Sequence, residues 1–317
     1  MEIFRFTPVS KQTLWGGSRI SSFKGRTPAE DECIGETWEI SGIRDNESRV
    51  EGGSYHGRTL NELVRALGTE LVGTAFDPEK SEFPVLIKFI DASKTLSLQV
   101  HPNDEVAMAQ RGKKGKNEAW YVAESKDGSK IYAGLRTDLN EKELSRHIEA
   151  ESIIDHVMTF DAEPGQLYYI PSGLVHAIGA GCLIIEIQDA ADITYRINDF
   201  GRLDKDGNPR ELHKKEAAEA AIPAVNRRNP KVMASPEHEH VLHTPHFKIE
   251  TLRLEDNKAE READGTSFHI LIAAKGHATL AAEEATEPLR QSDAVLIPAS
   301  LGRYRIEGDG IFLRVFL

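Results

Sequence analysis

The chain is predicted to be mainly β, folded as two β-rich lobes of antiparallel sandwich or barrel type with a few short helices. Three observations carry that expectation. Short segments rich in β-branched, aliphatic and aromatic residues recur along most of its 317 residues. Gly, Pro, Asp and Asn clusters such as HPND, KDGS and PSG separate them, where helical crossovers would be needed for a parallel sheet. A strand, Ile-Pro, turn, strand pattern also occurs twice. At about 150 residues per domain, the length fits two domains.

Taken in order, the expected strands of the first lobe are PVLIKFI (84–90), TLSLQVH (95–101), EAWYVA (118–123), KIYAGL (130–135), QLYYIP (166–171), CLIIEI (182–187) and DITYRI (192–197). Helical pattern is confined to TLNELVRAL (59–67), EKELSRHIEA (141–150) and KKEAAEAA (214–221). In the first of these, Thr59 is the N-cap and Glu62 completes a capping box. The segment 223–240 carries three prolines and no period, as a connection to a second lobe would. HFKIETLRL (246–254), SFHILIAA (267–274), DAVLIP (293–298) and IFLRVFL (311–317) then read as strands again. Sliding the chain on itself so that Ile170-Pro171 lies over Ile297-Pro298 also lays His176 over Arg303 and Gly181 over Gly308. That echo fits either two related lobes or chance recurrence in an all-β chain.

Composition narrows the function classes. With 39 basic and 51 acidic side chains the net charge is −12, which disfavours nucleic acid and anionic membranes as partners. An anionic ligand would need a local cationic pocket. The two cysteines, Cys33 and Cys182, form neither a disulfide framework nor a CxxC zinc pattern, as suits a reducing cytoplasm. No secretory leader pattern opens the chain and no run of about 18 apolar residues occurs, so secretion and membrane spanning are not expected.

The most informative segment is LSLQVHPND (96–104). Strand alternation puts Gln99 and His101 on one face, and Pro102 ends the strand. GKNEAWYVA (115–123) places Glu118 at a strand start, and PSGLVHAIGAG (171–181) presents His176 after a turn. Two imidazoles, a carboxylate and an amide oxygen suit a divalent first-row metal, zinc or equally non-haem iron. Taken singly, each residue is also what a polar sheet surface or a turn contains.

WGG (15–17), GETWEIS (35–41), FPVLIKFIDASKTLSLQVHPND (83–104), GKNEAWYV (115–122) and PSGLVHAIGAGCLIIEIQDAADITYRINDFGR (171–202) resemble the successive signature blocks of type I phosphomannose isomerases, in the family's order. The resemblance implies a zinc enzyme of the cupin superfamily that interconverts mannose 6-phosphate and fructose 6-phosphate in the cytoplasm. It implies two cupin, jelly-roll-like domains: a metal-binding catalytic domain with small helical elements over 1–228, and a domain without metal ligands over 229–317. Helices 59–67 and 141–150 are expected near the metal cleft. Carried over, Gln99, His101, Glu118 and His176 become the ligands of one zinc ion per chain, and Arg196 the catalytic arginine. Ser97, Lys88, Lys116 and Glu186 fall where the family lines its pocket. Ala119 departs from the Met or Cys common in that block, and the short chain matches the compact bacterial branch.

Isomerising an aldose to a ketose moves a proton from carbon 2 to carbon 1 while negative charge builds on the sugar oxygens. A divalent cation with one anionic ligand keeps a net charge of about +1 beside those oxygens. Arg196 offers a permanently charged fork of donors, although local sequence would also let it pair with Asp192 or Asp199. Lys88 interrupts an apolar strand, which suggests a polar pocket or an edge. Lys88, Lys116, Arg196 and Arg202 are the candidates to meet the phosphate of a sugar phosphate, and Glu186 or Lys116 to act as general base. An iron-dependent cupin oxygenase and a non-catalytic carbohydrate-binding module with a structural metal are the alternatives.

Overall fold

The computed structural model describes residues 1–79, 82–224, 230–232, 240–283 and 285–317. The connecting segment expected over 223–240 falls for the most part outside them. Three antiparallel sheets dominate, so the mainly β expectation is met. A central sheet runs in the order Lys231–Val232, Leu167–Ile170, Glu118–Ser125, Cys182–Asp189, Val85–Ala92, Ile34–Ile40, Val9–Gly17. A five-stranded site sheet follows the order Tyr195–Asn198, Leu98–Val100, His176–Ile178, Lys130–Leu135, Val157–Asp161. The C-terminal sheet is built on the long strands Lys248–Ala263, His269–Ala282 and Gly302–Phe316, and two N-terminal strands, Phe4–Thr7 and Arg49–Glu51, extend it.

Each face of the central sheet has a partner, which explains why its strands read as nearly unbroken apolar runs. Every residue of Val85–Ala92 is buried. Val85, Ile87 and Phe89 share one core cluster with Phe268, Ile270 and Leu313 of the C-terminal sheet. Ile90 and Ala92, one step out of phase, join Ile131, Ala133 and Ile178 of the site sheet. Such side chains each contribute about 1.5–3 kcal/mol by leaving water. Lys88 shares the second face, so it is held between two sheets.

The helix Leu60–Leu67 starts as expected: Thr59 Oγ1 accepts from the Glu62 backbone N–H at 3.2 Å, and Glu62 Oε2 accepts from the Thr59 N–H at 2.8 Å. Its position differs from expectation. Leu60, Leu63 and Val64 join the cluster between the central and C-terminal sheets, because its apolar face matches Phe83 and Phe268 there and not the polar cleft. The helix Glu141–Glu149 packs Leu144 and Ile148 behind the site sheet, on the side away from the metal-type residues. A further helix, Asp104–Arg111, follows HPND where a turn was read. Asn103 caps it through the Val106 N–H at 2.9 Å, with acidic residues in its first turn.

Close approach explains two of the glycine-bearing motifs. A Cβ on Gly16 would lie 2.4 Å from the Gly35 nitrogen, so WGG and GETWEIS are two halves of one tight strand pair. A Cβ on Gly115 would lie 2.7 Å from the Pro102 carbonyl oxygen, so the GKNE loop can press against HPND only with glycine there. The Ile-Pro echo also has a structural counterpart. Leu167–Ile170 and Ala294–Ile297 each end at it, and a strand follows after a turn. His176 is buried, whereas the Arg303 side chain is 87% exposed.

Candidate metal centre

Strand register aligns the site before any side chain is considered. Across the site sheet Arg196 is paired with Gln99, Gln99 with His176, and His176 with Ala133. Directly opposed residues project from the same face, so Arg196, Gln99 and His176 form one row. His101 follows Gln99 by two positions. On the facing sheet a second row runs Tyr168, Trp120, Glu186, Lys88, Trp38, with Glu118 two positions before Trp120. The sheets meet across these two rows.

His101, Glu118 and His176 bring one ligand-type atom each to within 4.8 Å of one another, and all three are buried. Both imidazoles are oriented from behind. His101 Nδ1 lies 2.8 Å from the Ile193 carbonyl oxygen and His176 Nδ1 lies 2.7 Å from that of Leu174. A carbonyl can only accept, so each Nδ1 carries the hydrogen. Burial, with Lys116 and His176 nearby, lowers the His101 pKa well below the usual histidine value; burial likewise lowers that of His176. Neutral rings protonated at Nδ1 turn bare Nε2 lone pairs toward Glu118. Burial opposes the charge of Glu118, but the Lys116 charge first, a hydrogen bond with Glu186 and the Lys88 charge bring its pKa down to about 2.

His101 Nε2 touches Glu118 Oε1, and His176 Nε2 lies 3.5 Å from the same oxygen. Neither His101 Nε2 nor Glu118 Oε1 has a hydrogen-bond partner among the described residues. Acceptors crowded together with no hydrogen between them repel one another, and a cation lying against all of them removes that cost. The donor set therefore fits a divalent metal. Gln99 adjoins it, with its amide Nε2 3.3 Å from His176 Nε2 and its Oε1 accepting from Ser97 Oγ at 3.2 Å.

A second carboxylate lies beside the first. Trp120 Nε1 is 2.9 Å from Oε2 of both Glu118 and Glu186. Burial and the neighbouring Glu118 charge raise the Glu186 pKa. Lys116 Nζ stands 3.5 Å from Glu118 Oε1 and 3.9 Å from Glu186 Oε1, while Lys88 Nζ stands 3.1 Å from Glu186 and 3.6 Å from Glu36. Burial works against the Lys88 charge, yet Glu186, Glu36 and Glu118 keep it more basic than usual. Lys88 also lies over the Trp38 ring at 5.0 Å, so the cation that interrupts an apolar strand is balanced by two carboxylates and a ring face.

Arg196 donates from Nη1 to the Glu211 carbonyl oxygen at 2.7 Å, and its buried Nε has no hydrogen-bond partner among the described residues. Asp199 is held instead by Arg202 and Arg210. Arg202 also reaches the Thr95 carbonyl oxygen, two residues before Ser97. Sequence reasoning missed Trp120 and Arg210, and offered Asp199 to Arg196 where Arg202 and Arg210 hold it. Strand alternation in EAWYVA, two residues on from Glu118, is the signal that could have found Trp120; nothing in GNPRELH marks Arg210 as a neighbour of Asp199.

The family model described as phosphomannose isomerase type I, catalytic domain, matches residues 3–133, and that described as mannose-6-phosphate isomerase, cupin domain, matches residues 237–317. Mannose-6-phosphate isomerase ManA of Bacillus subtilis is 32% identical over 316 residues, covering 96% of this chain and 95% of its own. Mannose-6-phosphate isomerase of Streptococcus mutans is 32% identical over 305 residues, covering 93% of this chain and 92% of its own. The crystal structure of the mannose 6-phosphate isomerase from Bacillus subtilis matches with a TM-score of 0.89 at 31% identity, over 100% of both chains.

Proposed function

The chain belongs to the type I phosphomannose isomerase family, and from that premise we propose that it interconverts mannose 6-phosphate and fructose 6-phosphate with one zinc ion held by Gln99, His101, Glu118 and His176. The observation that carries the metal is the contact of His101 Nε2 with Glu118 Oε1, both buried and without a hydrogen-bond partner among the described residues, with His176 Nε2 3.5 Å from the same oxygen. Thiolates are absent from the set, and imidazole with carboxylate suits zinc; to join them the Gln99 amide would turn its Oε1 from Ser97 toward the ion. When bound, the ion supplies Lewis acidity toward the oxygens on carbons 1 and 2.

The chain's own residues account for the rest of the reaction. Glu186, with its raised pKa and Lys116 alongside, takes the proton from carbon 2 and returns it to carbon 1, while the hydroxyl proton on oxygen 2 is lost and one is gained on oxygen 1. Arg196 directs its unengaged Nε–H toward the charge that builds on those oxygens, from the row that also holds Gln99 and His176. Arg202, Lys88 and Ser97 hold the sugar phosphate, with Arg202 presented by Asp199. Residues 1–228 form the catalytic domain under this proposal and 229–317 the second, although Phe4–Thr7 and Arg49–Glu51 pair into the C-terminal sheet. A cytoplasmic setting belongs to the same proposal. Among the described residues no helix is long and apolar enough to cross a membrane.

Incubation with mannose 6-phosphate in deuterated water, followed by proton NMR, tests this reading. Formation of fructose 6-phosphate with exchange at carbon 1 is expected. Binding without conversion would leave a carbohydrate-binding module, and oxygen consumption with an iron-loaded chain would indicate the oxygenase.

A further inference from the structure

Asn117 stands between Lys116 and Glu118, and every polar atom it has is engaged. Its backbone N–H and its side-chain Nδ2 both donate to Asp189 Oδ2 at 2.9 Å, and its carbonyl oxygen accepts from the Asp189 N–H at 3.1 Å. Its Oδ1 accepts from the Ser172 N–H at 3.0 Å, in the turn whose Leu174 carbonyl orients His176. The next residue in that turn, Gly173, donates its N–H to the carbonyl oxygen of His101 at 2.7 Å. One asparagine thus ties together the chain segments that carry three of the metal-type residues.

The last of its contacts comes from the other lobe. His246 Nε2 lies 3.1 Å from Asn117 Nδ2, and His246 Nδ1 lies 3.3 Å from Asp189 Oδ1. In its neutral form the ring satisfies both at once, donating from Nδ1 to the carboxylate and accepting the second amide hydrogen of Asn117 at Nε2, while the bond to Asp189 raises its pKa. The ring is held by a tight turn in which Thr244 Oγ1 accepts from the N–H groups of His246 and Phe247 at 3.1 and 3.0 Å. Phe247, 1% exposed, anchors that turn in the core.

We infer that His246 is a positioning residue for the metal centre, through which the C-terminal lobe fixes Asn117 and hence the placement of Lys116 and Glu118. Without it, one Nδ2–H of a buried asparagine loses its acceptor, and rotation of that amide would release Asp189 or Ser172 in exchange. The inference rests on the proposed role of Glu118 as a ligand. It gives the C-terminal lobe a part in the site beyond covering a sheet.

His246→Ala and His246→Gln, compared with the unaltered chain, test it. In His246→Ala, zinc affinity by equilibrium dialysis and kcat are each expected to fall by up to about 10-fold, the low end of losses when a direct partner of a metal ligand is removed, since His246 acts one step further out through Asn117, with KM unchanged. Thermal midpoint should fall by only a few degrees, as one unpaired N–H of a buried asparagine would cost. His246→Gln, whose Oε1 can accept from Asn117, should recover most of both losses. Unchanged zinc affinity and kcat in His246→Ala would overturn the inference, as would equal loss in both variants accompanied by a lowered midpoint. Should the unaltered chain fail to convert mannose 6-phosphate, the functional proposal falls, and the zinc-affinity comparison still decides the role of His246.

Discussion

Trp120 donates its indole N–H to Glu186 at 2.9 Å while standing at the same distance from Glu118. One neutral donor thereby joins the metal-type carboxylate to the carboxyl group assigned to proton transfer. Trp120→Phe keeps most of the buried ring and removes only that donor. A loss of about 1–3 kcal/mol is expected, the cost of leaving a buried acceptor unpaired, measured by urea denaturation with metal bound. An unchanged midpoint would show that the indole is mere filling.

His101→Ala and His176→Ala each delete an Nε2 from a buried set with few members. Zinc affinity should fall by more than about 100-fold, beyond what outer partners cost, and turnover should fall with it. Elemental analysis of each purified variant gives the answer. Full zinc occupancy in either would remove that histidine from the ligand set.

Arg196→Ala and Arg202→Ala should separate in their kinetics. In the proposed reaction the first removes a donor for developing charge, so kcat should drop by about 10²–10³-fold while zinc content is spared. In the same proposal the second removes a charged contact to the phosphate, worth about 1.5–3 kcal/mol, so KM should rise by about 10–100-fold. Near-normal turnover of Arg196→Ala would exclude it from the reaction. A kcat effect alone in Arg202→Ala would move that residue to the chemistry.

His269 offers a pH test away from the site. Buried in the C-terminal lobe, with its Nδ1 2.8 Å from the Tyr304 hydroxyl and Arg314 nearby, it has its pKa lowered to about 4, first by burial and then by that guanidinium. Between about pH 6.5 and 4 the unfolded chain binds the extra proton and the folded one does not, so stability falls on acidification across that window. The full effect is up to about 3 kcal/mol. Urea denaturation at pH 7 and pH 4.5 should show a smaller acid loss in His269→Gln than in the unaltered chain. Equal losses would mean that His269 does not titrate as described.

Much of this was legible in the residues because local rules and global packing agreed. QxH on a strand fixes a face, a glutamate at a strand start and a histidine after PSG mark positions, and register then aligns Gln99 with His176 while Glu118 comes from the facing sheet. The capping box at Thr59 was read correctly because it needs only neighbours in sequence. The position of that helix was not, since which sheet takes its apolar face depends on Phe83 and Phe268, far along the chain. Asp104–Arg111 was missed because Asn103 serves a turn and a helix cap equally well. Arg210 and His246 were invisible for a related reason: each matters through a carboxylate, Asp199 or Asp189, whose partner local sequence does not specify.

Zinc titration of the metal-stripped chain, read by mannose 6-phosphate turnover and by elemental analysis of the same samples, bears most directly on the site. Activity absent after stripping and restored in proportion to zinc, with saturation at about one ion per chain, is the expected result. Undiminished turnover by a chain shown to hold no metal would contradict it.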